Sequence, residues 1–173
     1  MDVRESRAAA RAQIVEEHVR AENAHDLDAV MSTFGETARY DDEPWDAHHL
    51  GRAGVGAYYS DIMRSLPDMH IEVVRRHVTD DNIVLEVIIH GTHLGPWRGL
   101  PATGRRVAIP LCAIYTFDSQ DRLAGERIYY DRALALRQLG VFFEPQSPLG
   151  QITTAITHPA TMVRIFLRWI RAS

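Results

Sequence analysis

The side chains best suited by type and spacing to chemistry lie in the run Glu126-Arg127-Ile128-Tyr129-Tyr130-Asp131. Read as a strand, a period of two puts Arg127, Tyr129 and Asp131 on one face and Glu126, Ile128 and Tyr130 on the other. Either face therefore carries a charged group beside aromatic side chains. A carboxyl buried among apolar groups has a raised pKa, and such a group can move a proton near neutral pH. The plainer roles are that Asp131 caps a helix beginning at Arg132 and that Glu126 pairs with a nearby Arg.

Other chemistries are poorly supplied. His90-Gly91-Thr92-His93 points two imidazoles to opposite sides of a strand end, and His48-His49 beside Asp41, Asp42 and Glu43 lacks a helical H-x-x-x-H spacing, so no metal site is expected. Cys112 is the only cysteine, which excludes an intrachain disulfide and a Cys-rich zinc module. No G-x-S-x-G elbow is present. All 19 basic residues are Arg, which removes Schiff-base and P-loop lysines from consideration.

These residues need elements to hold them. Residues 4–34 read as helix, with Ile14, Val15, His18 and Val19 near helical spacing and a break at residues 23–26, where Asp26 is an N-cap candidate. A short strand near residues 37–41 leads into the polar, aromatic stretch 42–49, a pocket rim by composition. Residues 51–66 form a helix with Val55, Tyr58, Tyr59, Ile62, Met63 and Leu66 as its apolar stripe. Residues 69–78 and 83–90 make a hairpin, and 106–117 and 123–131 are the last strands, with the Gly- and Pro-rich 91–104 as a loop. Residues 132–139 are a short helix stopped by Gly140. Helices followed by hairpin-linked strands give an α+β fold, helices on one face of a curved sheet.

Composition bounds the rest. A chain of 173 residues, 46% hydrophobic and 24% charged, is one ordinary globular domain. A net charge of -4 argues against nucleic acid as partner. The absence of a long apolar run argues against an integral membrane protein. The lone cysteine and the charged first residues point to the cytoplasm. Residues 147–158 read as polar and irregular. Residues 159–171 then form a basic amphipathic helix, with Arg164, Arg168 and Arg171 on one stripe. Packing over the domain or a sister subunit is the ordinary use of such a face; docking on a membrane surface is the other.

Several runs together resemble a known family. Gly51-Arg52 opens a helix that ends at Leu66-Pro67-Asp68. Gly91-Thr92-His93 precedes Gly99-Leu100-Pro101-Ala102-Thr103-Gly104-Arg105-Arg106. Leu123, Glu126 and Asp131 precede Arg137-Gln138-Leu139-Gly140. Over about residues 10–141 these resemble the SnoaL-like polyketide cyclases, within the superfamily of nuclear transport factor 2, ketosteroid isomerase and limonene epoxide hydrolase. The resemblance implies a cone-shaped α+β fold over residues 1–141 enclosing an apolar pocket, with 142–173 as an extension.

It also implies a cyclase or isomerase that enolises a polyketide-like or other apolar carbonyl compound without metal or cofactor. Asp131 matches the family's acid/base aspartate, and Arg127 or Tyr129 would stabilise the enolate. His93 and Trp97 would line the mouth, and Trp45 would cover it. An epoxide-hydrolase-like use of Asp131 with Arg127, or a non-catalytic module binding a small molecule, are the alternatives. Many relatives carry Trp in the closing strand where this chain has Arg127 and Ile128. A homodimer is expected, because an open sheet needs its outer face covered.

Overall fold

The protein is described by a computed structural model over residues 3–172. Helix α1 (Val3–Asn23) turns into α2 (Leu27–Thr33), whose first turn is capped by Asp26 accepting the Ala29 N–H at 2.9 Å. Strand β1 (Phe34–Asp42) passes through one 3-10 turn (Glu43–Trp45) into β2 (Ala47–Leu50), and α3 (Gly51–Ser65) follows. Strands β3 (His70–Val78), β4 (Asn82–Thr92), β5 (Arg106–Phe117) and β6 (Leu123–Tyr130) come next. Helices α4 (Arg132–Gln138), α5 (Pro148–Thr157) and α6 (Pro159–Ala172) complete the chain.

The six strands form one curved, unclosed sheet in the order β2-β1-β6-β5-β4-β3. Register shifts in the β3–β4 and β5–β6 pairs are the irregularities that bend a sheet. Neighbours are antiparallel except β1 and β6, which run parallel. That pair refines the expectation of hairpins alone: β1 leaves the helical hairpin one strand in from the sheet's edge, and its parallel partner β6 is reached only through a long crossover. The core lies between the concave face and α1–α3. Val15, Val19, Val30, Phe34, Val55, Tyr59, Leu85, Ala113, Leu123 and Ile128 are buried there, and each large aliphatic contributes on the order of 1.5–3 kcal/mol.

Two segments differ from their expected reading. Residues 47–50, taken with the loop before them, pair with β1 as an edge strand. Residues 148–157 are helical. Pro148 sits in the first turn and Ser147 Oγ accepts the Gly150 N–H at 3.0 Å, a start that outweighs the run of Thr residues. Helix α6 follows α5 after one residue, and its side chains are mostly exposed.

Candidate active site

A cavity of about 70 Å³ lies between α3 and the concave face. Ile62, Leu66, Ile89, Val107, Ile109 and Leu111 make its walls apolar. Glu22, His93 and Tyr40, Tyr58, Tyr59 and Tyr130 are its polar lining. Tyr58, Ile62 and Trp97 are its wall toward solvent, because they also line an open cleft with His49, Arg64 and Arg98.

One polar cluster stands on α1. Val15, His18, Val19 and Glu22 recur at helical spacing and are all buried. Thr33 Oγ1 donates to Val30 O at 2.7 Å, so at 2.8 Å from His18 Nδ1 it accepts. Tyr59 donates its hydroxyl proton to Glu126 Oε2 at 2.5 Å, so at 2.9 Å from His18 Nε2 it accepts again. Both ring nitrogens thus face oxygens that can accept from them, a setting that favours the charged imidazole. It faces Glu22 Oε2 at 3.6 Å and Glu126 Oε2 at 3.4 Å. Burial lowers the His18 pKa, but the adjacent Glu22 and Glu126 carboxyls outweigh it and the net change is upward.

Burial pushes Glu22 up to about 8, against the pull of His18 and with the repulsion of Glu126. Glu22 Oε2 has no hydrogen-bond partner among the described residues. The ligand-type atoms of His18, Glu22 and Glu126 lie within 4.8 Å of one another, a donor set of a kind that metals use. The Tyr59 hydroxyl bridges two of them, so the arrangement reads as a hydrogen-bonded proton cluster.

A second polar group comes from the loop after β4. His93 N–H donates to Arg105 O, and His93 O accepts the Gly104 N–H, both at 2.9 Å. The Thr103 N–H donates to His93 Nδ1 at 3.2 Å, which leaves Nε2 as the protonated nitrogen of a neutral ring. Burial lowers the His93 pKa and keeps it neutral. Its Nε2 is buried with no hydrogen-bond partner among the described residues. The loop is tied to the end of α3, where Leu94 and Gly95 N–H groups donate to Ser65 O at 3.0 and 3.2 Å. A Cβ on Gly95 would stand 2.2 Å from Arg64 O, so the approach requires glycine.

The mouth is aromatic. Trp97 meets Trp45 edge to face at 5.4 Å, and Trp45 Nε1–H donates to the Tyr130 hydroxyl at 2.6 Å. The Arg98 guanidinium lies over the Trp45 ring at 4.8 Å and donates to Asp42 Oδ2 at 2.5 Å. Burial raises the Asp42 pKa against the pull of Arg98. Strand β6 joins the two ends, since Glu126, Ile128 and Tyr130 point inward and span about 13 Å at strand rise.

The structure does not bring Asp131 to this cavity. Its exposed carboxylate accepts the Ala133 and Leu134 N–H groups at 2.8 and 3.1 Å, as the N-cap of α4. Arg127 and Tyr129 share its side of β6 and face outward. Arg127 pairs with Asp41 at 3.3 Å and Glu43 at 3.1 Å. Asp41 is itself buried, which raises its pKa, but Arg39, His48 and Arg127 outweigh that and hold its carboxyl below the usual range. The reason is register: β1 sets Tyr40 beside Glu126 and Asp41 beside Arg127, and the helices cover the Tyr40 side. His93 and Trp97 do line the cavity, and Trp45 packs on Trp97 and Tyr130 at its mouth. Glu22 has no mark in the strand motifs. Its mark is the i, i+4 spacing from His18 along an apolar stripe.

Solved structures of similar shape share this architecture. TsrD from Streptomyces laurentii superposes with a TM-score of 0.69 at 23% identity, over 82% of this chain and 99% of its own. A protein with a ketosteroid isomerase-like fold from Catenulispora acidiphila gives 0.62 at 18% identity, over 78% and 97%. SalBIII, described as an epoxide hydrolase/cyclase-like enzyme in pyran ring formation in the polyether salinomycin, gives 0.63 at 20% identity, over 73% and 94%. No curated protein matches the chain in sequence. His18, the loop that carries His93 and the closing strand with Glu126 all fall inside residues 12–139, the span matched by one family's sequence model. The chain belongs to the SnoaL-like polyketide cyclase family.

Proposed function

We propose that the protein is an acid–base enzyme that enolises an apolar carbonyl compound, with Glu22 as the proton carrier and His93 as the oxyanion donor. The observation that carries this reading is a cavity-lining carboxyl, Glu22, whose buried Oε2 has no hydrogen-bond partner among the described residues; burial pushes its pKa up to about 8. A group poised near neutrality can both take and return a proton. Asp131 is set aside because its carboxylate is committed to a helix cap in open solvent.

In this reading the Glu22 carboxylate removes a proton alpha to the substrate carbonyl. The negative charge that develops on oxygen is met by the neutral His93 Nε2–H. A neutral imidazole is the better donor here, because its proton affinity is closer to that of an enolate; the same logic operates in other enolising enzymes. The enolate then attacks a second carbonyl of the folded substrate, and Glu22 returns its proton to the new alkoxide. Simple reprotonation at another carbon would give an isomerase instead. His18 and Tyr59 hold the second carboxyl, Glu126, in place and keep Glu22 in a field that sets its pKa. The apolar walls supply orientation and exclude water.

A second reading keeps the same residues. Two carboxyls around one imidazole also suit epoxide opening, in which Glu22 gives its proton to the epoxide oxygen as a water molecule attacks the ring carbon, and takes back the proton that this water loses. Both readings are tested together by following small ketones and epoxides by NMR in D2O with wild type, Glu22→Gln and Asp131→Asn. Alpha-proton exchange is expected with wild type and Asp131→Asn and lost with Glu22→Gln. Exchange lost only in Asp131→Asn would overturn the assignment. Epoxide turnover without exchange would favour the hydrolytic reading, and binding without either reaction would make the cavity a binding site.

A further inference from the structure

Helix α6 carries its side chains in two sectors. At about 100° per residue, Arg164, Arg168 and Arg171 fall within an arc of about 60°. Met162, Val163, Ile165, Phe166, Leu167, Trp169 and Ile170 span about 200° on the other side. Apart from half-buried Met162, the large apolar side chains of this sector are exposed, with Phe166 at 58% and Trp169 at 65%. Leu149, Ile152 and Ile156 of the adjoining α5 are exposed as well. The charge is as uneven as the hydropathy. No Asp or Glu follows Glu144, so the last segment holds three Arg, and the other 16 Arg stand against all 23 acidic residues, a balance of -7.

We propose that α6 docks the protein on an anionic lipid bilayer, lying in the plane of the interface. A helix seated on a protein core presents an apolar stripe of roughly 100°; a sector twice that wide is met by a continuous apolar medium. Phe, Leu, Ile and Trp opposite a purely cationic stripe is the pattern of an interfacial helix. Its Arg stems reach back along the helix to lipid phosphates. A second copy of this chain fits less well. Two α6 helices meeting by their apolar sectors would leave both Arg stripes turned away from any anionic partner, and contact with the copy's acidic body would attract the Arg stripe while leaving the apolar sector in water. The helix has 14 residues, about 21 Å, too short to cross the hydrocarbon core.

The test is sedimentation of the full chain with vesicles of phosphatidylglycerol mixed with phosphatidylcholine, and with vesicles of phosphatidylcholine alone. Binding to the anionic vesicles is expected, weakening as salt is added, with a blue shift of tryptophan emission that Trp169→Phe removes. The triple variant R164Q/R168Q/R171Q is expected to partition about a hundredfold less. The variant F166S/I170S, which keeps every charge, is expected to lose the emission shift. Circular dichroism and thermal unfolding confirm that each variant is folded. A chain left in the supernatant with both vesicle types overturns the proposal, as does equal binding to both. A solution dimer that dissociates in F166S/I170S, with no vesicle binding by wild type, assigns the face to a second copy instead.

Discussion

Glu22 and His18 are ionisable groups in a core position, and their cost is visible in the pH dependence of stability. A Glu in the unfolded chain titrates near ~4.3, and Glu22 in the folded chain titrates at about 8. Between those values the folded state holds the extra proton, so stability falls as pH rises through the window. His18 is also raised on folding, so its contribution is complete below its unfolded pKa and is lost as pH rises through the folded one. The slope for one proton is at most about 1.4 kcal/mol per pH unit. Denaturant unfolding between pH 5 and 8, values taken as roughly bracketing the window, is expected to give a flatter profile for Glu22→Gln than for wild type. An unchanged profile would remove Glu22 as a titrating group. His93→Ala is expected to lower turnover of an enolising substrate by about a hundredfold, the usual effect of deleting one oxyanion donor. Asp131→Ala is expected to cost about 1 kcal/mol of stability as a lost cap and to leave turnover in place. Paired thermal melts and rate measurements separate these two residues.

At the scale of elements, the loop from His93 to Arg105 is what places chemistry against the cavity. It is pinned to α3 by the two N–H groups on Ser65 O, and that pinning depends on the absence of a Cβ at Gly95. Gly95→Ala pushes the loop off the end of α3 and carries His93 and Trp97 with it. Its expected effect on ligand affinity, read by titration, exceeds its effect on melting temperature. The reverse outcome would make the loop a support for the fold alone. Trp97 itself separates the cavity from the open cleft, so Trp97→Ala is expected to speed ligand entry and exit in stopped-flow measurements while leaving the pH profile of Glu22 unchanged.

At the scale of the molecule, the two kinds of apolar surface behave differently. Phe34 is fully buried against His18 and Tyr59, and Phe34→Ala is expected to cost about 3–5 kcal/mol. Phe166 is exposed, and Phe166→Ser is expected to change stability in solution by under about 0.5 kcal/mol. Calorimetry on the two variants checks both. The open outer face of the sheet gives the expectation of a homodimer, read by light scattering. A dimer that survives F166S/I170S uses the sheet and leaves α6 available for lipid.

Much of this architecture is written locally. The stripe of α3, the hairpin of β3 and β4 and the alternation of β6 follow from periodicity, because a helix or strand must turn its apolar side inward whatever it meets. The runs around Gly91-Thr92-His93 and Arg137-Gln138-Leu139-Gly140 carried the family, and His93 and Trp97 were legible as cavity residues through them. Alternation also separated Glu126 and Tyr130 from Arg127 and Asp131. It could not say which side the helices cover, because inverting a strand leaves its sequence period unchanged. That was decided by the register of β1 against β6, a pairing of segments more than eighty residues apart. The same long-range packing converted Glu22, an acidic residue at the end of α1, into a buried group with an oxygen that no described residue hydrogen-bonds. Desolvation and the approach of His18 and Glu126 are properties of the assembled core, and no local stretch of the chain contains them.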